Sequence, residues 1–210
     1  MVEEEKAKKS EEKETGRLES FSDGIFAFAI TLLVLGLRDP AQAASKNSNL
    51  AQGLLLEWPA FFAFFTSFLT ILIMWVNHHN MFNFIRRIDT RFLFLNGLLL
   101  LTVTLNPFTT MLVADHLRDA NATTAAAVYS GVFLLLSIAW NFTWHYASAN
   151  HRLLASSVTE ARIKSVNRDF NIGTLLYLLA FALAFVNSLV CIFAMLALGV
   201  FWAITAPSRS

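Results

Sequence analysis

The sequence predicts an all-α, polytopic membrane protein with six transmembrane helices and both termini in the cytosol. Three observations carry that expectation. Of 210 residues, 56% are hydrophobic and only 15% charged, where an average soluble domain is about 25% charged. The charges are also segregated: thirteen of the thirty-one fall before Ile25, whereas a soluble fold would scatter them over its surface. Twenty phenylalanines and five tryptophans are more than a soluble surface could carry, and a lipid-facing helix accommodates them.

Residues 1–16 read as a solvated, mobile cytosolic tail of mixed charge. They do not resemble a secretory signal, which opens on a short basic region and an apolar stretch ending in small residues. Residues 17–206 form one transmembrane domain, and 207–210 a short cytosolic C-terminus. Crossing a hydrocarbon core of roughly 30 Å takes about 20 apolar residues. The spans on that criterion are Phe21–Leu37, Leu54–His78, Phe92–Ala114, Thr124–Tyr146, Phe170–Val186 and Leu189–Ala206. Glu57-Trp58-Pro59 suits an interfacial helix start, with proline in the first turn and tryptophan at headgroup depth. Asn106-Pro107 should kink the third span. Asn187-Ser188 is the most polar point near the middle of the last long apolar stretch and marks a tight turn.

Lysine and arginine set the orientation. With both termini inside, thirteen of the sixteen are cytosolic, in the tail, at Arg86, Arg87 and Arg91, in the Arg152–Arg168 loop and at Arg209. Arg38, Lys46 and Arg118 remain outside. The net charge of +1 gives no ground for a nucleic-acid partner. No Walker, HExxH or GxSxG motif is present, so no enzyme class is indicated and no cofactor or metal is expected. There is no TVGYG filter and no arginine repeat of a voltage sensor. The single Cys191 lies in an apolar segment, and a lone thiol there is expected to be packing.

Two polar clusters remain. The first is Arg17-Leu18-Glu19-Ser20-Phe21-Ser22-Asp23-Gly24, entering the first span. Its local reading is a capping box, with Ser20 as N-cap and Asp23 three residues on. The second is Trp75-Val76-Asn77-His78-His79-Asn80, at the cytosolic end of the second span. Adjacent helical positions point about 100° apart, so His78 and His79 are a poor pair for one metal ion. The topology puts Ser22 and Asp23 at the depth of Trp75 and His78. A carboxylate there needs donors, and indole N–H, imidazole and the Arg17 guanidinium are the candidates. The two clusters together read as a structural clamp.

At these residues the chain resembles a known family. RLESFSDGIFAFAITLLVL is similar to the R-x-x-x-F-S-D signature that opens the first helix of the transmembrane protein 175 family, lysosomal potassium channels and their bacterial relatives. The WVNHHNMF segment and short length look like the bacterial branch, which implies the inner (plasma) membrane. The resemblance implies a homotetramer in membrane lipid, with a potassium-permeable pore lined by four first helices. The permeant ion is then K+, and rings of apolar side chains replace a carbonyl filter. By position, the first constriction falls on Phe28, the family's threonine on Thr31, and further layers on Leu32 and Leu35. Phenylalanine at 28 departs from the smaller aliphatic residue expected there. Arg17, Phe21, Ser22, Asp23, Trp75, His78 and His79 form the structural network.

Phe28, Thr31, Leu32 and Leu35 share one helical face, with Leu33 and Val34 expected to turn away. In a bilayer such a stripe is ordinarily lipid-facing or packed against neighbours; four copies around an axis would make it a constriction that gates by dewetting. Two rival readings stand beside the channel. One is a proton-conducting or ion-coupled transporter in which Asp23 and His78 titrate. The other is a non-conducting membrane scaffold.

Overall fold

The computed structural model describes residues 2–37 and 49–205, the side chains of 2–13, 59 and 205 excepted. Among these residues the chain is helical, and its sole β feature is a bridge between Ile85 and Leu154. α1 runs Val2–Leu32 and continues as a 3-10 turn, Leu33–Gly36. There follow α2 (Leu50–Leu56), α3 (Trp58–Phe82), α4 (Thr90–Thr104), α5 (Asn106–His116), α6 (Ala122–Ser148), α7 (Glu160–Ala184) and α8 (Ser188–Thr205). Segments 14–36, 60–82, 90–116 and 122–151 are long and apolar enough to cross a membrane, and Ser188–Ile204 is a shorter apolar helix. The protein is thus an integral membrane protein.

The helix boundaries follow local chemistry. Pro59 lies in the first turn of α3, where a missing N–H costs nothing. Asp89 caps α4, its Oδ1 accepting from the Phe92 N–H at 2.8 Å. The third apolar run is interrupted at Leu105, just before Asn106-Pro107. The buried Asn106 amide there donates to the Thr102 and Val103 carbonyls, beside the Leu105 N–H that also reaches them. α7 ends at Ala184, and Asn187 Oδ1 accepts from the Val190 N–H at 3.1 Å, opening α8 at the turn the sequence marked.

Two stretches differ from expectation. The charged N-terminal segment and the first apolar span form one uninterrupted helix, so Ser20 is no N-cap; its hydroxyl donates back to the Gly16 carbonyl at 2.9 Å. α7 begins ten residues before the expected Phe170, capped by Thr159, because its charged first turns extend beyond the apolar part.

α6 is the hub: it packs most extensively on α7 and also against α4, α5 and α8. Trp144, Phe133 and Phe92 are fully buried around it. α1 lies at the periphery, packed on α3 and α4. Its buried positions, Leu18, Ser22, Phe26, Ala29 and Leu33, recur every three or four residues as one helical face requires. Gly36 lets the end of this segment approach α5, since a Cβ there would stand 2.7 Å from Met111 Cγ. The backbone of Arg86 and Arg87 is tied to the Leu153 carbonyl, so the two basic loops meet at one end of the bundle, the basic end.

Candidate functional site: the anchored face and open face of the first helix

α1 and α3 run antiparallel at the basic end, and their polar residues meet in register. Glu19 and Asp23 are one turn apart on α1, as Trp75 and His79 are on α3. The Trp75 indole N–H donates to Asp23 Oδ1 at 2.8 Å, and His79 Nδ1 lies 2.8 Å from Glu19 Oε1. The Trp75 and His79 rings stack with centroids 6.2 Å apart.

One position inward lies a fully buried chain of hydrogen bonds. His78 Nε2 is 2.9 Å from Asn96 Oδ1, and Asn96 Nδ2 donates to Ser22 Oγ at 3.0 Å. The Ser22 hydroxyl donates in turn to the Leu18 carbonyl at 2.9 Å. Because the Asn96 carbonyl can only accept, His78 carries a proton on Nε2. His78 Nδ1 is then an enclosed nitrogen with no partner among the described residues. Phe26, Phe82 and Trp140 surround the imidazole, Phe82 stacking at 4.6 Å. Such a chain fixes the rotation and depth of α1 because any slip strands buried polar atoms.

Of the residues expected in the network, Ser22, Asp23, Trp75, His78 and His79 come together. His78 is buried and His79 half-exposed, as adjacent helical positions must diverge. Arg17 and Phe21 do not join them. Both are exposed and line an open groove of about 520 Å³ with Glu14, Leu18, Ile88, Asp89, Thr90 and Leu93. Within the subunit Asp23 takes the indole as its donor, and Arg17 lies away from it in the groove. Asn96 and Glu19 are the partners that sequence reasoning missed. Asn96 carried a signal, as the one strongly polar side chain in the first turns of an otherwise apolar third span. Glu19 carried one too, since it stands four residues before Asp23.

The opposite face of α1 is open. Phe28, Thr31 and Leu35 are exposed and Leu32 half-buried, while Leu33 is buried against the subunit. Val34 is a correction: instead of turning away it is half-exposed beside the stripe. The α-helix ends at Leu32, and a 3-10 segment advances about 120° per residue, so Val34 falls under Thr31. The Thr31 hydroxyl donates to the Phe28 carbonyl at 2.8 Å. Its hydrogen is thereby used inside the helix, and the oxygen faces outward as an acceptor.

Also at the basic end, Tyr146 donates its hydroxyl to Asp89 Oδ2 at 2.6 Å, and Arg152 lies over the tyrosine ring. Burial opposes ionisation of Asp89, but Tyr146, the Phe92 and Arg91 N–H groups and Arg152 outweigh it and hold the carboxyl below the usual range.

Comparison with known proteins adds an independent line. Residues 17–107 match the family model described as endosomal/lysosomal potassium channel TMEM175. A protein of Chamaesiphon minutus, named a potassium channel, is 42% identical over 92% of this chain and 96% of its own. One of Streptomyces collinus with the same description is 39% identical over 83% of this chain and 84% of its own. The human endosomal/lysosomal proton channel TMEM175 is 36% identical over 34% of this chain, but only 15% of that protein. The crystal structure of a lysosomal potassium-selective channel TMEM175 homolog from Chamaesiphon minutus superposes with a TM-score of 0.84. It is 40% identical, covering 92% of this chain and 98% of that one.

Proposed function

Because this chain belongs to the TMEM175 family, we propose that it is a potassium-permeable channel subunit acting as a homotetramer around a pore lined by α1. The carrying observation is the asymmetry of that helix. One face is locked to α3 and α4 by buried hydrogen bonds, and the other leaves Phe28, Thr31 and Leu35 exposed among the described residues. Four copies placed around an axis would close those side chains into apolar rings. Such rings offer an ion no oxygen to replace its hydration shell, so shedding water at the neck sets the barrier. The Thr31 oxygen, an outward acceptor, is the polar ligand on the stripe, and it suits a partly dehydrated cation.

In this reading the bundle crosses the bacterial inner membrane six times, with α7 and α8 as the last two crossings and the basic end in the cytosol. Potassium is cargo, and no cofactor takes part. Proton permeation is a second reading, favoured by the proton-channel description of the vertebrate relatives and by the enclosed His78 nitrogen.

The test is bilayer recording of purified protein with unequal potassium and sodium. The reading expects currents at channel rates that reverse near the potassium equilibrium potential. Reversal that tracks the proton gradient would select the second reading, and absence of any current would leave a scaffold. Orientation is tested separately with single cysteines at Ser10 and Ser48 in a Cys191→Ser background. These should label from opposite sides, and labelling from one side refutes the crossings.

A further inference from the structure

A second polar locus lies away from α1. α3, α6, α7 and α8 line a partly open cavity of about 70 Å³, walled mostly by apolar and aromatic side chains, among them Ile73, Phe133 and Leu136. Two neighbouring residues of α6 that line it carry polar atoms left unmet among the described residues. Trp140 is more than nine-tenths buried, and its Nε1 has no partner among the described residues. Asn141 spends its amide nitrogen on the Ser137 and Phe170 carbonyls and on Thr174 Oγ1, yet its Oδ1 is enclosed without a donor. Each such group forfeits a hydrogen bond, which a membrane interior makes costly.

We propose that this cavity is a binding site for a hydroxyl group, supplied either by water or by a small aliphatic alcohol. The chemistry selects it. An indole N–H demands an acceptor and a carbonyl demands a donor, and a hydroxyl is both. No carboxylate lines the cavity, and a cation would leave the indole unmet. An anion would find one unused donor and an unused carbonyl that repels it. Size points the same way. The volume of about 70 Å³ has room for a small hydroxyl-bearing molecule, since one water needs roughly 10–15 Å³ of such space. The apolar walls fit a short alkyl chain. A smaller cavity of about 30 Å³ shares the lining residues Asn77 and Phe170 with it and lies toward Asn80 and Asp169.

The full-length protein in lipid nanodiscs, labelled with nitrogen-15 at its tryptophan indoles, tests this by NMR. The Trp140 resonance is assigned with Trp140→Phe or, if that variant does not fold, by elimination with phenylalanine at the other four tryptophans. Cross-relaxation from a long-lived water to the Trp140 N–H is expected, and n-propanol should shift that resonance saturably. Water contact without a propanol shift identifies water as the ligand, and a propanol shift identifies the alcohol as able to replace it. Neither signal means a dry cavity and overturns the proposal. Gly199→Ala narrows the cavity while meeting Thr70 Oγ1 at an ordinary 3.5 Å. It should abolish the propanol shift or weaken the water contact, and unchanged signals would place the ligand elsewhere.

Discussion

Between Leu18 and Phe26 the first helix is held by directional bonds, Ser22 to Asn96, Asp23 to Trp75 and Glu19 to His79. Between Phe28 and Gly36 it is held, among the described residues, by apolar contact through Ala29, Leu33 and the close approach of Gly36 to Met111. The first half has one allowed rotation, since any other strands buried polar groups. The second half inherits its rotation from the first. An exposed stripe can therefore stay aimed in one direction although its own half of the helix is held by packing without directional bonds to other elements among the described residues. In the proposed reading the polar half acts as a register device and the apolar half as the pore-facing surface.

The largest expected effect comes from breaking the register device at its buried centre. Asn96→Leu strands both His78 Nε2 and the Ser22 oxygen, at about 1–3 kcal/mol for each unmet group. Thermal melting in detergent should fall by several degrees and tetramer yield with it. A variant as stable as the parent would show that α1 is positioned by packing. Asp23→Ala should act in the same direction but less, because one charge-assisted bond of about 1.5–3 kcal/mol is lost while the buried chain survives.

On the apolar half the readout is permeation rather than stability. If the proposed tetramer forms, Leu35→Asn should raise conductance and weaken discrimination between potassium and sodium, since it would supply oxygens at an apolar ring. Thr31→Val removes the acceptor from the stripe and should lower conductance or potassium preference. Leu33→Asn is the matched control: its side chain is buried in the subunit, so it should cost stability without a graded change in selectivity. Val34 lies with the stripe and is no control. Recordings in which Leu33 tunes selectivity and Thr31 and Leu35 do not would mean that the open face is not the pore face.

Smaller effects belong to the basic end. Asp89 is held below the usual carboxylate range, so its contribution to stability is complete above the ordinary value of 3.8 and is lost as pH falls beneath it. Acid melting of the parent should therefore be steeper than that of Asp89→Asn in that window, and identical profiles would remove Asp89 from the account. Glu19→Gln should do least. Its partner His79 is half-exposed, and such pairs contribute about 0–1 kcal/mol, screened further by salt.

The sequence alone determined what rests on patterns along one helix. Apolar length and charge segregation specified a helical membrane protein, Pro59 and Asn106-Pro107 marked a start and a break, and Asn187 marked the last turn. The Phe28–Leu35 face was legible because 3.6-residue periodicity needs no neighbour. Tertiary structure decided the rest, because it concerns which polar group on one helix meets which on another. Ser20 looks like a cap until the charged tail proves helical, and the indole of Trp75, not the guanidinium of Arg17, is the donor that meets Asp23 within the subunit. Asn96 lies far along the chain from Ser22, and no local spacing links them. Val34 shows the same limit within one segment: the change from 3.6 to 3.0 residues per turn at Leu33 depends on how α1 ends against α5, and that rotation decides which side chains reach the open face.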